Sequence, residues 1–180
     1  MLLAQAGIVP DAIFDPGIDE TAHKGETPRL HAVRLAKEKV RAAAKAQAAP
    51  AFILAADTVV ACGRRILPKA RDADEVRACL ELLSGRRHQV ITAVALLTPG
   101  GTLRLKAALT RVRFRRLHAE EIETYIKSGE GVGKAGGYAI QGRAEGFVTD
   151  IAGSWSNVVG LPLALTITML GGNGWRLWHG

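Results

Sequence analysis

At 180 residues, 48% of them hydrophobic, the chain is long enough to bury a core as one domain over residues 1–180 and too apolar for extended disorder. No apolar run approaches the roughly 20 residues of a membrane span, and the first residues lack the basic start of a signal peptide, so a cytoplasmic protein without a membrane partner is expected. A formal charge of +7 favours anionic partners, yet aromatics are only 5% and do not interleave with basic residues, which argues against nucleic acid as the partner.

Residues 1–7 read as the end of a helix stopped by Gly7. Residues 8–18, interrupted by Pro10 and Pro16, suggest a short strand and a loop. Asp19-Glu20-Thr21 follows, either a solvated acidic pair or a source of one carboxylate ligand for a divalent cation. Thr27-Pro28 is a helix start, with a capping hydroxyl before proline at the first helical position. From Leu30 to about Ala48 strong helix formers dominate, with Ala32, Val33, Ala36, Val40, Ala43 and Ala44 as the inward stripe and Lys39 on its flank.

The stretch Phe52–Val60 opens as a continuous apolar run after Pro50, as a strand buried on both faces would. Asp57 and Thr58 then stand where that strand is expected to end. Asp57 is either a turn former or an acid meeting a cation at the carboxyl edge, where open α/β sheets bind ligands. Cys62 and Cys79 have no metal-type spacing and read as buried thiols in a reducing compartment. Gly63-Arg64-Arg65 is a turn.

Asp72 with Glu75 resembles a capping box and opens a helix to Leu83, closed by Gly85. Gln89–Thr98, Pro99-Gly100-Gly101 and Thr102–Leu117 make a hairpin. In its second arm Arg111, Arg113 and Arg115 alternate with Val112 and Phe114, a solvated stripe over an apolar one. Glu120–Ser128 is a short helix with Ile122, Tyr125 and Ile126 inward and Gly129 at its exit.

Gly131–Arg143 is rich in glycine and carries Lys134 and Arg143. It suits close backbone approach to an anion but matches neither the P-loop nor the dinucleotide fingerprint, so a ligand-free hairpin stays open. Phe147–Ile151 resumes a strand, Gly153–Asn157 is a polar loop, and Val158–Pro162 leads into an apolar helix ending near Gly171. The tail Trp175–Trp178 either packs or frays.

Several of these segments together resemble the Maf family of nucleoside triphosphate pyrophosphatases. They are Ile18-Asp19-Glu20-Thr21, Lys24-Gly25-Glu26, Ala55-Ala56-Asp57-Thr58-Val59-Val60, and Leu82-Leu83-Ser84-Gly85-Arg86-Arg87-His88. Gly133–Gly142 and Ser156-Asn157-Val158-Val159-Gly160-Leu161-Pro162-Leu163 complete the set, in family order over nearly the whole chain. The resemblance implies an α/β fold of the Maf and inosine triphosphatase-like type: an elongated, mixed, twisted sheet with flanking helices, two lobes around a cleft, and a homodimer. It implies hydrolysis of a nucleoside triphosphate to the monophosphate and pyrophosphate with a divalent cation, Mg²⁺ or Mn²⁺. Thr58 and Gln141 match the branch associated with dTTP and UTP.

By the same resemblance Asp57 is the catalytic proton acceptor, and Glu20 and Asp57 hold the metal. Lys39, Lys69 and Lys134 bind the phosphate chain, and Thr58 and Gln141 set specificity. A glutamine amide can accept from the N3–H of uracil or thymine, but its ability to flip leaves cytosine open. The family normally opens with a strand and a Ser-x-Ser-Pro-Arg-Arg loop, whereas this sequence starts at Met1-Leu2-Leu3. Either the true start lies upstream of Met1 and supplies that phosphate-binding loop, or the chain is a truncated member, an enzyme or an inactive binding protein linked to septum formation. Gly131-Val132 and Leu165 are further departures from the family pattern.

Overall fold

The computed structural model describes residues 2–176. A five-stranded sheet in the order β2-β1-β3-β4-β5 forms its centre, built from β1 (Ile53–Cys62), β2 (Arg65–Leu67), β3 (Arg87–Leu97), β4 (Leu103–Phe114) and β5 (Val148–Ala152). Every pair is antiparallel; β1–β2 and β3–β4 are hairpins, whereas β3 returns to pair with β1 after the 73–83 helix and β5 returns to pair with β4 after the 119–128 helix. Flanking helices are α1 (Leu2–Gln5), α2 (Pro28–Ala46), α3 (Ala73–Leu83), α4 (Ala119–Ser128), α5 (Trp155–Val159) and α6 (Leu163–Gly171). This is the α/β sheet with flanking helices that the resemblance implies, but among the described residues its strands are all antiparallel rather than mixed.

The local signals act as the sequence suggests. Thr27 caps α2 by accepting from Leu30 N at 3.4 Å, and Asp72 caps α3 by accepting from Glu75 N at 2.9 Å. Gly129 closes α4 in the left-handed region at φ 73°. The β3–β4 hairpin runs in unbroken register from Arg87 opposite Arg113 to Leu97 opposite Leu103. In β4, Val112 and Phe114 are buried while Arg111 and Arg113 are exposed.

Alternation along the strands separates two faces. On one, Val59, Ile91, Ala93 and Ala95 pack under Ala32, Ala36 and Val40 of α2. The inward stripe of α2 also takes in His31 and Leu35, whereas Ala43 and Ala44 are only half-buried. On the other face, Val60, Val90, Val112 and Phe114 meet α3, α4 and the glycine-rich segment, while Val94 and Leu96 meet Met169 and Leu170 of α6.

Four expectations are corrected. Residues 8–18 form no strand: Ile8 is buried beside α6, but Val9 and Ile13 point to solvent. Asp57 does not end its strand, because β1 continues to Cys62, held by β3 and then by β2. The polar stretch 153–157 is not a plain loop; Ser154 caps a one-turn helix by accepting from Asn157 N at 3.3 Å. Cys79 is buried, but Cys62 is half-buried, and both are free thiols. Trp175 packs beside α6; Leu177 and Trp178 of the expected tail lie outside the described residues.

Candidate active site

β2 pairs only with Val60, Ala61 and Cys62, so among the described residues β1 is a sheet edge from Ile53 to Val59. Against that edge lies a cavity of about 220 Å³. Because the edge is uncovered, side chains from both faces of β1 reach the cavity: Asp57 from the α2 side and Thr58 from the other. Lys39, Lys69, Lys134 and Gln141 also line it. The structure thus gathers side chains that the sequence spreads from position 39 to position 141.

Local structure explains each placement. Lys39 projects from α2 over the face that carries Asp57. Lys69 follows β2 and is held by Lys69–Ala135 bridge pairing and by backbone bonds from Gly136 N to Pro68 O at 3.0 Å and from Gly133 N to Ala70 O at 2.7 Å. These bonds set Lys134 beside Lys69. Gly136 must be glycine here, since its φ is 69° and a Cβ would lie 2.8 Å from Val60 Cγ1. At the far end of the segment, Ala139 N donates to Tyr125 Oη at 3.0 Å and Tyr138 Oη bonds His88 Nε2 at 2.8 Å, which fixes the run leading to Gln141. The Gly131–Arg143 segment is therefore neither a helix-capping phosphate loop nor a free hairpin; it is a cavity wall anchored on α4 and β3.

The charges are concentrated on one lysine. Lys39 Nζ lies 2.6 Å from Asp57 Oδ1 and 2.6 Å from Glu20 Oε1, and the other oxygen of Glu20 pairs with Lys69. Asp57 is 4% exposed. Burial pushes its carboxyl above the usual aspartate value, and the Lys39 ammonium recovers only part of that shift. For Lys39 burial is the largest single influence and acts downward, but its bonds to Asp57 and Glu20 together outweigh it and raise the ammonium. Glu20 ends below its ordinary value because Lys39 and Lys69 overcome its partial burial. A desolvated acid with a raised pKa is a stronger proton acceptor than an exposed aspartate.

Sequence reasoning missed two supporting groups. Glu26 accepts from Arg34 Nε at 2.8 Å, Arg34 Nη2 at 3.0 Å and His23 N at 3.0 Å, and lies 2.9 Å from His31 Nδ1. The Arg34 guanidinium holds the Glu26 carboxyl well below the usual range and also donates to Thr21 O at 2.9 Å, which fixes the loop that presents Glu20. The second group is Thr92 on β3 and Thr110 on β4, which bond α5 and its cap to the sheet, Thr92 also contacting Thr58 of β1. The only sequence signal for either was that Glu26 and Asn157 fall inside the family-like segments without an evident role.

With regard to metals, the described residues hold no group of three or more His, Cys, Asp or Glu placed to bind an ion. Glu20 and Asp57 nevertheless already converge on one cation, the Lys39 ammonium, and a pair of carboxylates is the protein share that Mg²⁺ ordinarily takes when phosphates and water supply the rest. The donor set therefore fits a hard divalent ion.

A sheet edge, a lysine-lined cavity and a desolvated aspartate in this arrangement accompany a family match that covers residues 1–172: the chain belongs to the Maf family, described as Maf-like protein. Among curated relatives, the dTTP/UTP pyrophosphatase of Rhodopseudomonas palustris strain HaA2 is 55% identical over 99% of this chain and 89% of its own length. That of Mesorhizobium japonicum is 54% identical over 98% and 87%, and that of Nitrobacter winogradskyi 58% identical over 95% and 85%.

Proposed function

We propose that this chain, acting as a single domain over 1–180, hydrolyses dTTP and UTP to the monophosphate and pyrophosphate. The observation that carries the reading is the convergence of Lys39, Lys69, Lys134, Asp57, Thr58 and Gln141 on one cavity. The names of the relatives supply the substrate class.

Asp57 takes the proton of the water that attacks the α-phosphorus. Its burial keeps competing solvent away, and Lys39, 2.6 Å distant, stabilises the charged form until the proton arrives. Lys69 and Lys134 bind the phosphate chain; Lys69 gives up its contact with Glu20 as phosphate oxygens arrive. Three ammonium groups partly spent on two carboxylates cannot offset the charge of a triphosphate, about four units. Mg²⁺ or Mn²⁺ held by Glu20 and Asp57 supplies the remaining neutralisation when bound. Gln141 and Thr58 read the base.

The chain works as a homodimer in the cytoplasm on free nucleotides, without a nucleic-acid or membrane partner. Exposed Val9, Ile13, Phe14 and Leu30 support an apolar subunit contact, and the free thiols suit a reducing compartment. Light scattering of the purified protein checks the dimer. The activity is tested by pyrophosphate release from dTTP, UTP, CTP and GTP with and without Mg²⁺. Metal-dependent release from the two uracil-type substrates is expected, and a chain that leaves both intact overturns the reading.

A further inference from the structure

The hydroxyl of Thr58 has a direction imposed by the protein behind it. Thr92 is fully buried, and its single hydroxyl proton goes to Asn157 O at 2.9 Å. Thr58 Oγ1 lies 2.9 Å from Thr92 Oγ1. With the Thr92 proton already committed, that contact is a hydrogen bond only when Thr58 donates and Thr92 accepts. The one alternative acceptor for Thr58, Gly160 O at 3.4 Å, also lies on the protein side. Either way the Thr58 proton is used inward, and what remains toward the cavity is a lone pair.

Asn157 is held so that its carbonyl stays in place. Its amide nitrogen donates to Val90 O and to Thr110 Oγ1, both at 3.0 Å, and Thr110 returns a bond to Ser154 O at 3.1 Å while accepting from Ser154 N at 3.0 Å. The side chain is fully buried and its Oδ1 has no partner among the described residues. Asn157 thus spends its donors on locking α5 to β3 and β4 rather than on satisfying itself.

We propose that Thr92 and Asn157 are positioning residues that fix Thr58 as a hydrogen-bond acceptor toward the ligand, and so select a base with a donor at that point. This rests on the pyrimidine triphosphate reading given above. Uracil and thymine present N3–H, a donor; cytosine presents N3 as an acceptor and meets the Thr58 lone pair with one of its own. Gln141 can flip its amide to suit either edge, so the discrimination falls to the group that cannot turn.

The test is the ratio of kcat/KM for UTP over CTP. Thr92→Val removes the nearer acceptor at constant shape and leaves only the long contact to Gly160 O at 3.4 Å, so the Thr58 hydroxyl is no longer firmly committed inward and can rotate to donate. The ratio is expected to fall by about tenfold, the value of one hydrogen bond made or opposed, while Thr92→Ser keeps it. A merely structural loss lowers both substrates together and leaves the ratio unmoved, which overturns the proposal. If Thr92→Val does not fold, Thr58→Val replaces it as the probe: the ratio collapses if the Thr58 lone pair is the selector and persists if it is not. Should the wild-type chain hydrolyse neither nucleotide, the enzymatic reading fails by itself, and calorimetric affinities for UMP and CMP decide the relay by the same ratio.

Discussion

Among the described residues, two basic concavities differ in an instructive way. The larger, about 910 Å³, is lined by Arg86, Arg113, Arg115 and Arg116. The smaller, about 220 Å³, is lined by Lys39, Lys69 and Lys134. By volume and by count of cations the arginine groove looks the stronger anion site. Its charges, however, are solvated or already used: Arg86, Arg113 and Arg116 are exposed, and Arg115 forks onto Glu121 at 2.6 and 2.9 Å. Among the groove's lining residues the buried one is Phe114, which has no chemistry to offer. In the smaller cavity the cations surround Asp57, which is out of water. Positive charge near solvent attracts anions only weakly, whereas a desolvated acid among lysines can act on one.

The largest effect that sharpens this contrast is Asp57→Asn. Turnover of dTTP is expected to fall by at least ~10²-fold, as for loss of one key electrostatic group, and near-normal pyrophosphate release would break the comparison. The same substitution should not lower Tm at neutral pH. The folded chain holds the Asp57 proton more tightly than the unfolded one, so the stability this group contributes is greatest below the ordinary aspartate pKa and is lost as pH rises through the folded value. Next comes Lys69→Ala, which removes a charge-assisted contact and is expected to raise KM for dTTP by about tenfold. A steady-state titration that leaves KM unmoved would count against Lys69 as a phosphate ligand.

A smaller, diagnostic effect is the acid limb of the pH–rate profile. Because burial raises Asp57, kcat/KM should decline already above the range where an exposed aspartate titrates, and a limb confined to that range contradicts its role as acceptor. Smallest of all, Arg113→Ala and Arg116→Ala should change turnover by no more than about twofold, as surface substitutions do. A tenfold loss in either would move the active site to the groove.

Much of the architecture was legible because its causes are local. Thr27-Pro28, Asp72, Gly129 and the Pro99-Gly100-Gly101 turn act on neighbours within a few residues, and each did what its chemistry requires, although Glu75 accepts from Arg71 N rather than closing a box on Asp72 N. The position of Asp57 within its strand was not legible. A polar pair inside an apolar run looks like an ending, and what keeps β1 going is pairing to Ala93 and Thr92 on β3, far along the chain. Candidate site residues could be named from the family-like segments, but the residues that support them could not. Thr92 and Thr110 look like ordinary β-branched strand residues, and their partner Asn157 stands 65 and 47 residues away. The failed strand at residues 8–18 has the opposite cause: apolar composition without a neighbouring strand to pair.

The unbroken β3–β4 ladder also bears on how the molecule comes together. It joins consecutive segments through a tight turn, so its loop-closure cost is small, whereas the candidate site needs partners more than a hundred residues apart, as between Thr58 and Gly160. The hairpin should therefore order early and the reactive surface last. In native-state amide exchange, its central amides should outlast those of the 133–142 wall, leaving a folded but catalytically silent form as the first species seen on mild denaturation.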